Sequence, residues 1–69
     1  MFRLPPRHAA AVNQYVDLFG YFPTEVRVED WDGALIEVAV GKVNGRIVLV
    51  DRHGIAYEED GTSIPAGGF

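Results

Sequence analysis

Asp51 and His53 lie two residues apart beside Gly54. A carboxylate that orients an imidazole across a tight turn is half of a general acid–base device, and it needs a second converging group to act. No such group is assured by the sequence, so His53 reads first as a solvated turn residue and an enzyme using Asp51 and His53 is the weaker reading. His8, the other of the two histidines, falls at a helix start. Ser63 is the lone serine and has no base beside it. There is no cysteine, which removes thiol nucleophiles, disulfides and thiolate metal sites together.

Asp30-Trp31-Asp32-Gly33 opens like a calcium loop, but such a loop needs a bidentate acid at its twelfth position. Counted from Asp30 that position is Gly41, so the stretch reads as a turn. Two acidic stretches stand out, Glu29, Asp30, Asp32 and Glu58, Glu59, Asp60. Solubility and edge protection explain them most simply. The sharper reading is an acidic patch that docks on a basic groove of another protein.

With 10 acidic and 6 basic residues the net charge is -4, which opposes a binding mode driven by phosphate neutralisation. The expectation is therefore no direct nucleic-acid contact, no cofactor, no metal and no enzymatic activity. No apolar run approaches the roughly 20 residues of a membrane span. The chain shows no apolar leader, and the lack of cysteine fits a reducing compartment, so the cytoplasm is expected.

These residues must be positioned by short elements. Val12, Tyr15, Val16 and Phe19 recur at helical spacing, with Asn13, Gln14 and Asp17 opposite, so His8 to Phe19 reads as an amphipathic helix closed by Gly20. Tyr21 and Phe22 are expected to fold back onto the core. Glu25 to Glu29 alternates as a half-buried strand. Asn44-Gly45 divides two runs rich in β-branched residues and predicts a hairpin over residues 34–50, because a type I′ turn needs positive φ at both central positions. Arg52-His53-Gly54 predicts a three-residue turn into a last strand at 55–58. Residues 32–41 also carry a helical spacing, Trp31, Leu35, Val38 and Ala39; the β-branched content and the Asn-Gly turn favour strand. The fold expected is α+β, an N-terminal helix packed on a four-stranded antiparallel β-meander. Residues 1–60 would form one small domain and 61–69 a flexible tail.

The hairpin register makes both sheet faces apolar. Ile36, Val38, Val40, Ile47 and Leu49 share one face, the expected site of the helix. The other has Ala39, Gly41, Val43, Val48 and Val50 at its centre and Glu37, Arg46 and Arg52 at its rim, with Glu37 and Arg52 opposed as an ion pair. A chain this short buries only about 60% of its unfolded surface and commonly needs a partner. That second face is therefore expected to be a protein interface. The function expected is a small non-catalytic protein-binding module, an inhibitor or adaptor of the kind common among short acidic phage and mobile-element proteins. The alternative is a structural subunit that forms a dimer or larger homo-oligomer through the same face.

Overall fold

The computed structural model describes residues 6–65 together with 67 and 68, with side chains from residue 10 onward. His8 lies in the helix, and its side chain falls outside the described residues. Helix α1 (Pro6–Phe19) is followed by β1 (Glu25–Trp31), β2 (Ala34–Val43), β3 (Arg46–Asp51) and β4 (Ala56–Tyr57). The strands form one antiparallel sheet in the order β1-β2-β3-β4. This is the helix-on-meander architecture that the sequence predicts, with residues 34–43 extended.

Each connection is closed by local chemistry. Gly20, at φ +83°, ends α1 by donating its amide to the Val16 carbonyl at 2.7 Å, the left-handed cap that glycine adopts without strain. Asn44 and Gly45 take φ of 53° and 80°, as a type I′ turn requires, and Val40↔Leu49 and Val43↔Arg46 pair across it. A second turn of the same kind joins β1 to β2, with Asp32 at φ 54° and Gly33 at φ 80°. It lies one residue later than the composition of residues 30–33 suggests, so β1 extends through Trp31. The three-residue turn Arg52-His53-Gly54 sets Tyr57 opposite Leu49 and Ala56 opposite Val50.

The helix lies on the face opposite to the one expected. Ala11 and Tyr15 pack with Ala39, Val43, Val48, Val50 and Ala56, and Phe19 borders the cluster. Val38, Val40 and Leu49 form a separate cluster on the other face with Trp31, Ile36, Ile47 and Tyr57. The reason is volume. Tyr15 and Phe19 are bulky, and a face of Ala, Gly and Val lets the helix approach closely, whereas Ile and Leu would hold it off. The Tyr15 phenol lies where a Cβ on Gly41 would be. It is fixed by edge-on contacts with Phe19 and Tyr21, at centroid distances of 4.8 and 5.7 Å. Burial, then the neighbouring Tyr21 hydroxyl, pushes the Tyr15 phenol up from its ordinary pKa.

The bulky face covers itself. Three strand spacings separate β1 from β4, about 14 Å in a flat sheet. Yet the Trp31 and Tyr57 rings lie 4.7 Å apart, so the sheet coils and the two side chains reach toward each other over that cluster. Val38, Val40 and Leu49 are consequently no more than 3% exposed without any helix above them.

Two further expectations change. Tyr21 and Phe22 do not both enter the core: Tyr21 lies against Tyr15 and donates to the Lys42 carbonyl at 2.6 Å, while Phe22 is 75% exposed. Within the expected tail, residues 63 and 64 bond to β4. Ser63 bridges to Tyr57, the Ile64 amide bonds the Ala56 carbonyl at 2.8 Å, and Ile64 joins the helix-side core.

Candidate functional site

Asp51 ends β3 and is the buried acid of the described chain. Its Oδ1 accepts from the amides of His53 at 2.9 Å and Ile55 at 3.0 Å, and its Oδ2 accepts from the Tyr57 hydroxyl at 3.1 Å. Both oxygens are thus occupied in holding the 52–54 turn and the start of β4. Burial, then the hydrogen bond to Asp51, pushes the Tyr57 phenol up. The bond from His53 uses its main-chain amide, and the His53 side chain is exposed. A cavity of about 200 Å³ adjoins, lined by Leu35, Ile36, Glu37, Asp51, Arg52 and His53. The carboxylate at its edge holds the turn through all three of these bonds.

This arrangement separates the two residues experimentally. His53→Ala is expected to change stability by no more than about 0.5 kcal/mol. Asp51→Ala strands two amides and a phenol and should cost about 3 kcal/mol. Urea denaturation of both variants checks this; a destabilised His53→Ala with an intact Asp51→Ala would reverse the assignment.

The residues of the predicted interface are divided by the fold. Ala39, Gly41, Val43, Val48 and Val50 are buried beneath α1 and Ile64 of the same chain, so another chain cannot cover them. The one helix takes this face and not the bulkier one, which leaves no room here for a partner. Of the rim, Arg46 is exposed, donates to the Gly68 carbonyl at 3.1 Å and lies 3.6 Å from Glu58. Arg52 is exposed in the turn, and Glu37 is half-buried on β2 opposite Val28. The β2–β3 ladder ends at Val38↔Asp51, which leaves Arg52 outside the strand pairing that was to oppose it to Glu37.

What the fold does bring together is the acid. Asp30 and Asp32, at the β1–β2 turn, and Asp60, after β4, line one open cavity of about 250 Å³ with Trp31 and Gly61. Neither residues 28–41 nor residues 53–69 contain a lysine or arginine. Local bonds set the carboxylates: Asp30 Oδ1 accepts from the Gly33 amide at 3.1 Å, and Asp60 Oδ1 from the Thr62 amide at 2.9 Å. The Thr62 hydrogen bonds hold the Asp60 carboxyl below its ordinary pKa. Glu59 lies near enough to help keep the Arg27 guanidinium charged, after the larger effect of Glu25. Trp31 is held rigidly. Its ring packs at a tilt against Tyr57, and Gly61 passes so close that a Cβ there would lie 3.2 Å from its indole nitrogen.

Among the described residues no three of His, Cys, Asp or Glu converge in a way that could hold a metal ion. None of the helices described is long and apolar enough to cross a membrane. Trp31 was the residue that sequence reasoning undervalued, since Asp-Trp-Asp-Gly reads as turn composition alone. The Asp32-Gly33 pair was the available signal, because a two-residue turn there places Trp31 in the strand. No protein-family model, curated protein or solved structure matches this chain.

Proposed function

We propose that this chain is a small non-catalytic protein-binding module, an inhibitor or adaptor, that docks its acidic corner on a basic groove of a target protein. The observation that carries the reading is the convergence of Asp30, Asp32 and Asp60 around one pinned tryptophan. At physiological ionic strength, charges act over about 8 Å. Scattered acids would therefore steer little, whereas clustered ones act as a unit. A rigid, half-buried indole flanked by carboxylates supplies both an anchor and the complementary charge for lysine or arginine side chains. The occupied oxygens of Asp51 support the non-catalytic part.

Trp31 is the chain's sole tryptophan and reports on the site directly. An arginine- and lysine-rich peptide titrated against the protein is expected to perturb its emission, with an affinity that falls steeply as salt is raised. Asn at positions 30, 32 and 60 keeps the turn-holding acceptors and removes the charges. That triple variant should retain its melting temperature and lose at least about tenfold in affinity, equivalent to 1.4 kcal/mol. Equal binding by the triple variant and the parent would overturn the reading.

A further inference from the structure

We infer that two copies of this chain pair antiparallel through the outer edges of their β1 strands, with Val28 on the two-fold axis and Arg27 of each copy opposite Glu29 of the other. The inference does not depend on what the acidic corner binds.

Strand β1 is seven residues long and lies at one end of the sheet. Among the described residues nothing pairs with its outer edge. The opposite end is treated differently: β4 has two residues, and Ser63 bridges to it from outside. Trp31 and Ala34 flank a two-residue turn and so form a hydrogen-bonded pair. Alternation then turns Glu25, Arg27 and Glu29 toward β2 and directs the main-chain N–H and C=O of Val26, Val28 and Asp30 outward. β1 carries no proline to block that edge.

The side chains select both the occupant and the register. Glu25, Arg27 and Glu29 lie in a row on the sheet face away from the helix, with Arg27 2.8 Å from Glu25 and 3.8 Å from Glu29. The row is acid, base, acid, and it is complementary to its own reverse when displaced by one pair. A two-fold axis through Val28 sets Arg27 opposite Glu29 of the other copy, twice, and spans the whole strand from Glu25 to Trp31. It uses all the outward groups of Val26, Val28 and Asp30, roughly six main-chain bonds in total. An axis through Arg27 would oppose the two arginines and set Glu25 against Glu29; an axis through Glu29 would oppose the two glutamates. An axis through Val26 would leave the second half of the strand unpaired. On the helix side, Val28 is 53% exposed in the single chain, and pairing brings it against its own copy at the dyad.

The test is the mass in solution of the full chain, by sedimentation equilibrium from micromolar to millimolar concentration. The wild type is expected to dimerise reversibly, and the amides of Val26, Val28 and Asp30 to gain exchange protection as concentration rises. Arg27→Glu and Glu29→Arg each place like charges opposite one another at two symmetric points and should weaken dimerisation at least about tenfold. The double variant Arg27→Glu/Glu29→Arg restores both pairs and should restore the dimer. Val28→Lys should abolish it. Val28 is 53% exposed and the Arg27 and Glu29 side chains are 40% and 26% exposed, so circular dichroism should show each variant folded. A wild type that stays monomeric to millimolar concentration overturns the proposal, as does a dimer indifferent to all these substitutions. Loss of the dimer in Arg27→Glu, with Glu29→Arg silent and the double variant not rescued, would move the pairing to Glu25 and Arg27 and overturn the register.

Discussion

Alanine at position 41 is expected to destabilise this protein by about 3 kcal/mol, although the change adds one methyl group. Gly41 is buried near the end of β2, directly beneath the Tyr15 phenol, and a Cβ there would overlap both the hydroxyl and the ring. The ring has nowhere to go. It is fully buried, with Phe19 and Tyr21 packed edge-on against it. Relief requires α1 to lift from the sheet, which opens contacts along Ala39, Val48 and Val50 as well. For a chain of 69 residues, such a loss is a large fraction of the total stability. Thermal and urea denaturation of Gly41→Ala measure it. Shortening the opposing residue, in Gly41→Ala/Tyr15→Leu, should recover part of the loss. A Gly41→Ala protein that melts like the parent would show that the helix does not rest on this face.

Val48→Glu is expected to unfold the isolated chain, with a loss of about 4–5 kcal/mol or more. Val48 is fully buried between Ala39, Val50 and the helix, and the described residues there offer a carboxylate no cation. Glutamate would have to be buried unpaired or remain protonated, and either is more than a small domain can bear. The outcome discriminates sharply between the two faces of the sheet. Were this surface an interface for another chain, Val48→Glu would leave a folded monomer that no longer associates. Far-UV circular dichroism at low concentration distinguishes these results. Lys42→Glu is the matched control: Lys42 is exposed on the neighbouring strand β2, and a glutamate there should leave the fold intact.

Much of the architecture was legible because it is encoded locally. Gly20 after the apolar helical stripe, Asn44-Gly45 between β-branched runs, and the three-residue turn ending in Gly54 each prescribe a backbone conformation that few other residues accept. Those turns determine the strand order, and the Asn44-Gly45 turn sets which residues share a face. The start of β2 was ambiguous for a stated reason, since Trp31, Leu35, Val38 and Ala39 satisfy a helical period as well as a strand. The preference of Ile36, Val38 and Val40 for extended backbone decided it correctly.

By itself, then, the sequence determined the meander, the register of its last three strands and the position of the helix in the chain, because each follows from residues near one another. Which face the helix covers was decided only by tertiary structure. Both faces are apolar, so alternation cannot rank them; the choice turns on the fit of Tyr15 into the space above Gly41, a contact between residues far apart in sequence. Tertiary structure also let the bulkier face close over itself through Trp31 and Tyr57, which reduced the need for a partner there. It engaged both oxygens of Asp51 in turn-forming bonds and drew Asp30, Asp32 and Asp60 to one corner. Side-chain volume and hydrogen-bond saturation act between segments that only the folded chain brings together, and residue order does not carry that information in readable form.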